Sequence, residues 1–341
     1  MAERADVLIV GGGISGVSLL RQLAGRGVKA VLVERRHLAF GASGRNAGFL
    51  LAGTSDNYAR AVARYGPRLA AEIWDFTSEN HERLAEALGG RAGYARRGSD
   101  TLAASAAEAR ELQESAQLLR ERGVAVTYAG GTLNNPADGE LDPAAAVAAL
   151  AADCPPGSIR EGLEVTSLEA LPIAAERVVL CTNAYTPQLA SVPIEPKRAQ
   201  MLATAPESRR IAERPVYSDH GYRYWRQLPS GEVLCGGWRN LAFEEETGYS
   251  LETTPRLQAA IEEHLREIGV SAPVTRRWAG TMGFTPDGLP LLGAVAEGLY
   301  VMAGFNGHGL AFAFSCARLL AEHLTQGARL PGWLVAARSS P

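Results

Sequence analysis

Apolar residues gather into two short runs near the start of the chain, 7–10 and 30–33, each suited to a strand buried on both faces. Between them Leu19, Leu20 and Leu23 recur at helical spacing, and the "GRG" at 25–27 closes the helix. The segment therefore predicts strand, turn, helix, strand. The middle of the chain predicts a hairpin-like pair in "GYARRGSDTLAAS" and a long amphipathic helix over 104–122. A helix follows Asp142 with Pro143 in its first turn, and a buried strand covers 178–182. From about 193 to 283 the period shortens to two. "YRYWRQLPSGEVLCGGWR" predicts a hairpin turning at 229–231, with Tyr222, Tyr224 and Arg226 on one face and Arg223, Trp225 and Gln227 on the other. "TTPRLQAAIEEHLREIG" predicts an amphipathic helix covering that sheet. The chain then gives a strand at 299–303, a "GFNGHG" loop and a helix to about Gln326, with Leu310, Phe314, Ala317, Leu320 and Leu324 on one apolar face.

At 341 residues the chain fits two domains, or one large domain with a second inserted. A hydrophobic content of 46% and a charged content of 21% are those of a soluble globular protein without a disordered tail. The net charge of −3, with basic residues scattered along the chain, argues against a nucleic-acid partner. Cys154, Cys181, Cys235 and Cys316 lack metal-ligand spacing, so no metal is expected, and free thiols in a reducing cytoplasm are. "MAERAD" does not read as a leader, and no apolar run reaches membrane-spanning length. Lysine chemistry is confined to Lys29 and Lys197.

The first predicted turn carries GxGxxG at Gly11, Gly13 and Gly16. The first glycine allows the tight turn, the second lets backbone reach a pyrophosphate, and the third permits close helix packing. The helix that follows points free N–H groups at that phosphate. Glu34, about 20 residues on, is placed to accept hydrogen bonds from an adenosine ribose. Its charge disfavours NADP and leaves NAD and FAD open.

"GASGRNAGFL" at 41–50 and "AGFNGHG" at 303–309 resemble the two flavin-contacting loops of the D-amino-acid oxidase family of FAD-dependent oxidoreductases. The chain further resembles that family's glycine/sarcosine oxidase branch and its gamma-glutamylputrescine oxidase branch, the latter through "TNAYTPQL", "RWAG", "TPDGLPLLG" and "GFNGHG". The resemblance implies an α/β fold: an FAD-binding Rossmann-like domain of the glutathione-reductase type, formed by 1–85, 140–192 and 284–341. An interleaved antiparallel-sheet substrate domain is formed by 86–139 and 193–283. It also implies that Gly11, Gly12, Gly13, Ile14, Ser15 and Gly16 form the phosphate turn, that Glu34 and Arg35 hold the ribose and adenine edge, and that Val165 contacts adenine. Ala42 and Ser43 lie against the pyrophosphate, and Arg45, Asn46, Ala47 and Gly48 run along the isoalloxazine. Gly280 falls near the position of the family's covalent flavin cysteine, so non-covalent FAD is expected. Asn306, Gly307, His308, Gly309 and Leu310 close over the ring, with the helix N-terminus stabilising reduced flavin. His308 is read as packing against the cofactor edge rather than as a base.

Family chemistry is oxidation of a C–N bond, with hydride passing to flavin N5 and the imine then hydrolysed. Glycine and D-amino-acid oxidases clamp the substrate carboxylate with an arginine whose position is taken here by Met282. Positions matching the sarcosine-oxidase anchors are Leu51 and Ala311. The expectation is an enzyme for an amine or N-substituted amino acid, with an apolar pocket lined by Leu51, Tyr224, Trp225, Trp238 and Met282. Tyr224, Arg226 and Met282 are the candidate substrate-positioning residues. A free amino-acid oxidase or dehydrogenase, anchored by Arg223, Arg226 or Arg239, stays open. So do a non-catalytic or partner-dependent flavoprotein and an NAD-dependent dehydrogenase. The electron acceptor is O2 or another carrier, and the oligomeric state is not legible.

Overall fold

The first apolar run extends back to the chain's fourth residue, and strand Arg4–Val10 becomes an interior strand of a six-stranded sheet in this computed structural model, which describes residues 4–338. Ala30–Glu34 lies parallel on one side of it and Ala174–Leu180 on the other. Ile159–Glu161 edges one end, and the antiparallel pair Leu291–Ala296 and Leu299–Ala303 edges the other. One sheet face buries Val7, Ile9 and Leu32 against Leu19, Leu20 and Leu23 of helix Ile14–Ala24 and Phe312, Ala317 and Leu320 of helix Gly309–Gln326. Burial of each large aliphatic side chain contributes about 1.5–3 kcal/mol, which is why these elements hold a glycine-rich turn in a fixed place.

Helix Tyr58–Leu88 also packs here. Gly66, at φ 79, and Pro67 interrupt its 31 residues, and that kink is why a single helical period does not show in the sequence. Its Asn80 is fully buried. The Asn80 amide donates to the Leu310 carbonyl at 2.8 Å and accepts from the Ser315 N–H at 2.9 Å, tying this helix to the start of the last one.

The second sheet has eight strands, in the order Val274–Phe284, Glu195–Pro206, Glu232–Gly237, Arg223–Gln227, Val216–Ser218, Ser99–Leu102, Thr132–Asn135 and Thr127–Ala129. The expected hairpin at 229–231 forms. The hairpin-like pair expected in "GYARRGSDTLAAS" does not: Ser99–Leu102 runs parallel to Val216–Ser218 and antiparallel to Thr132–Asn135. Both partners are remote in sequence, so no local pattern announces them. Helices occur close to expectation at Ala106–Glu121, Pro143–Ala152 and Pro255–Glu267, with Ser105 and Asp142 capping the first two through their side chains. A two-stranded ribbon, Phe49–Leu50 with Gly139–Glu140, lies apart from both sheets. The chain is thus a mixed α/β fold with a parallel-rich sheet and a mainly antiparallel one.

Candidate active site

The turn after the first strand is packed to a tolerance that only glycine meets. A Cβ on Gly11, whose φ is +112, would stand 2.7 Å from the Cys181 carbonyl oxygen, and one on Gly16 would stand 1.9 Å from the Gly11 oxygen. Helix Ile14–Ala24 therefore sits directly on the turn. Its first amides face a cavity: the Ile14 N–H donates to Ser43 Oγ at 2.9 Å. Glu34 Oε2 accepts from the Gly12 N–H at 2.7 Å and Oε1 from the Arg36 N–H at 2.9 Å, which fixes the carboxylate at the cavity rim.

The stretch 41–48 forms one helical turn, Ala42–Arg45, and then extends. Arg45 donates to the Phe40 carbonyl at 2.8 Å and to the Ala279 carbonyl at 2.9 Å, and Trp278 Nε1 donates to the Arg45 carbonyl at 2.9 Å. Asn46 Nδ2 donates to the Ala42 and Ser43 carbonyls while its Oδ1 accepts from the Gly48 N–H. These side chains shape the loop and pin it to strand Val274–Phe284. From the other end of the chain, Asn306 at φ 52 accepts from the Thr285 N–H at 2.9 Å, setting the Gly307–Leu310 backbone beneath the same cavity.

The cavity measures about 1250 Å³ and runs from Glu34, Arg35 and Val165 past Ser43 to Met282, Tyr224 and His308. Ordinary small-molecule sites occupy roughly 300–1,000 Å³, so the space suits a dinucleotide with a small substrate beside it. Of the residues expected to touch the cofactor, Gly16 and Gly48 lie behind the lining and act through packing; the others border the cavity.

The substrate side of the cavity departs from expectation. Arg226 is 5% exposed and outside the lining, donating to the Leu141 carbonyl at 2.9 Å and facing Glu140 Oε2 at 3.4 Å. It shares a strand face with Tyr224, as the period of two predicts, but sits beyond the end of the cavity, where it braces Gly48. Trp225 and Trp238 are likewise outside. They pack on His264 with ring centroids at 4.7 and 5.0 Å, beneath helix Pro255–Glu267, because Trp225 alternates to the face opposite Tyr224. The wall is instead Phe49, Tyr217 and Tyr224, whose rings meet edge to face at 5.2–6.3 Å, with Leu51, Met201 and Met282. Tyr217 had no signal in the sequence.

Arg239 lines the cavity. Its guanidinium lies over Phe284, Tyr222 and Phe243 at 4.6, 4.9 and 5.7 Å, and it pairs with no carboxylate among the described residues. Burial pulls its pKa below the usual guanidinium value. Arg223, by contrast, faces Asp219 at 3.4 Å. Neither Lys29 nor Lys197 borders the cavity, and Lys197 pairs with Glu195 at 2.7 Å. Among the described residues no cluster of His, Cys, Asp and Glu is placed to hold a metal, and no helix is long and apolar enough to cross a membrane.

Residues 6–323 match the family described as "FAD dependent oxidoreductase" (DAO). The chain is 27% identical over 370 residues to 4-methylaminobutanoate oxidase (formaldehyde-forming) of Paenarthrobacter nicotinovorans, covering 94% of this chain and 43% of that protein. It is 25% identical over 370 residues to gamma-glutamylputrescine oxidoreductase of Escherichia coli strain K12, covering 94% and 83%. The crystal structure of glycine oxidase from Geobacillus kaustophilus superposes with a TM-score of 0.78 at 22% identity, covering 94% of each chain. The cavity fits FAD on its own terms: the glycines admit no Cβ, a helix N-terminus and a serine hydroxyl meet where a pyrophosphate would lie, and a carboxylate stands at the ribose end. With glycine at 280, the flavin is expected to be held without a covalent bond. Acid precipitation of the yellow protein should leave the colour in the supernatant, and a coloured pellet would contradict this.

Proposed function

Because the chain belongs to the DAO family of FAD-dependent oxidoreductases, we infer that it oxidises the C–N bond of an N-substituted amino acid whose carboxylate is held by Arg239. At the coarser level it is an FAD-dependent oxidoreductase acting on amines or amino acids. The observation that carries the finer reading is the unpaired Arg239 cation inside the cavity. A half-buried cation whose nearest acid, Glu246, acts on it without forming an ion pair can gain from a direct partner, and a substrate carboxylate supplies one with a charge-assisted bond. One relative is named for 4-methylaminobutanoate, whose amine is remote from its carboxylate, and another for gamma-glutamylputrescine. Arg239 can serve that geometry as well as a nearby carboxylate.

Bound FAD supplies the two-electron acceptor for the hydride that leaves the carbon bearing nitrogen. Phe49, Tyr217, Tyr224 and Met282 exclude water and disfavour the ammonium form, so the amine reacts neutral. Arg239 and the aromatic wall together fix the C–H bond in line, which is the main contribution the protein makes to rate. The imine that leaves is hydrolysed by water.

The test is the visible spectrum of the purified protein under anaerobic conditions with pools of N-alkyl amino acids, free D- or L-amino acids, and amines without a carboxylate. Bleaching is expected first with the N-alkyl pool. If only free amino acids bleach it, the anchor stands and the N-substituent is wrong. If only carboxylate-free amines do, Arg239 is not the anchor.

A further inference from the structure

Behind the aromatic wall lies a second cavity of about 80 Å³ that shares Leu51, Ser55, Tyr217, His220 and His308 with the large one. A water takes roughly 30 Å³, so there is room for about two. Of the acids that line it, Asp56 has an arginine partner, whereas Glu108, 1% exposed, and Asp138, 4% exposed, form no ion pair among the described residues. Oδ1 accepts from the Ala52 N–H at 2.9 Å and Oδ2 from the Ser99 hydroxyl at 2.6 Å. The Asn135 side chain also hydrogen-bonds the carboxylate, and an asparagine at this position could satisfy the Ala52 amide without carrying a charge into the interior.

The groups that face Asp138 across the cavity are accounted for in other ways. Glu108, from helix Ala106–Glu121, accepts from the Ala104 and His220 N–H groups, both at 2.7 Å. His220 contacts Glu111 at 3.0 Å, Asp56 pairs with Arg60 at 3.1 Å, and the Tyr58 hydroxyl accepts from Arg122 at 3.0 Å. Arg96, a cation that acts on Asp138, is held by Glu82 at 2.7 Å. Tyr217 and His308 form the partition between the cavities, stacked at 6.0 Å and 24°. Burial keeps the Tyr217 hydroxyl protonated far beyond its ordinary range and pulls the His308 imidazole down to about 4. Burial raises the Asp138 carboxyl to about 7, well above His308.

We propose that Asp138 receives the proton that a substrate ammonium must give up before its C–H bond breaks, the proton crossing the small cavity past Tyr217. The assignment rests on the reaction proposed above. The N–H bond breaks and its electron pair stays on nitrogen as the lone pair. The carboxylate becomes a carboxylic acid, leaving a neutral amine whose lone pair lets the neighbouring C–H bond break. Asp138 is a proton-accepting residue that works through the cavity rather than by touching substrate.

Two measurements on FAD-loaded protein test it. The first is the infrared difference between wild type and Asp138→Asn, titrated from pH 5 to 9. A carboxylic-acid band that disappears near neutrality in wild type alone is expected, and a carboxyl ionised throughout that range overturns the proposal. The second is the limiting rate of flavin reduction by the best substrate as a function of pH. Wild type should rise through about pH 7. Asp138→Asn should be slower by about 10²-fold at pH 7, lose that inflection, and recover towards wild type as pH approaches the amine's own range near 10. A purely structural role would change KM or stability and leave the inflection in place. If the substrate reduces both proteins with the same pH profile, the assignment alone fails. If no amine or amino acid reduces the wild-type flavin, the underlying reaction fails and the assignment with it.

Discussion

Arg239→Met should lower kcat/KM for the best carboxylate-bearing substrate by about 10²-fold, close to 3 kcal/mol, while leaving an amine without a carboxylate within about threefold. The magnitude follows from removing a charge-assisted bond in a partly desolvated site. The selectivity follows because the methionine, while losing the guanidinium stacking, still presents a long apolar side chain to Phe284, Tyr222 and Phe243. The loss should appear in kcat as well as in KM, since the anchor also holds the C–H bond in line. Steady-state kinetics on both substrate types decides it, and equal losses on both would mean that Arg239 holds the wall rather than the carboxylate.

A second large effect concerns the segment that carries Arg239. Arg198 donates to Glu246 Oε1 through Nε at 3.0 Å, and Gln200 Nε2 donates to the same oxygen at 2.8 Å, with Glu246 only 1% exposed. The Glu246 carbonyl also accepts from the Arg198 N–H at 2.7 Å. Residues 239–247 are thereby fastened to strand Glu195–Pro206. Arg198→Met leaves a buried carboxylate without its cation and should cost about 3–5 kcal/mol of stability in urea unfolding. Adding Glu246→Leu removes the orphaned charge and should return most of it. A single-variant loss below about 1 kcal/mol, or no recovery in the pair, would show that this ion pair is not what holds the segment.

What could be read from the sequence was local. The glycine turn, Glu34, the 41–48 loop and the 306–310 loop each contain their own geometric reason, and all border one cavity apart from Gly16, Gly44 and Gly48, which pack behind it. The period of two placed Tyr224 and Arg226 on one face, yet period says nothing about where along a strand the cavity stops, and Arg226 lies past that point. Trp225 and Trp238 were assigned by apolar character, while helix Pro255–Glu267 offered them a drier place on the opposite face. Tyr217 and Asp138 depend on strand partners remote in sequence, Ser99–Leu102 among them, so no window of the chain could announce them.

The central position of strand Arg4–Val10 has a bearing on synthesis. Its neighbour Ala30–Glu34 is translated almost at once, whereas Ala174–Leu180, which covers its other edge, follows roughly 160 residues later, about 10–30 s at the usual 5–20 residues per second. Through that interval a nascent apolar edge, with four consecutive interior residues at Val7–Val10, stands open to pairing with another chain. The vulnerable period of this protein therefore belongs to the ribosome-bound chain, and the last-made helix, Gly309–Gln326, seals a sheet that was begun first.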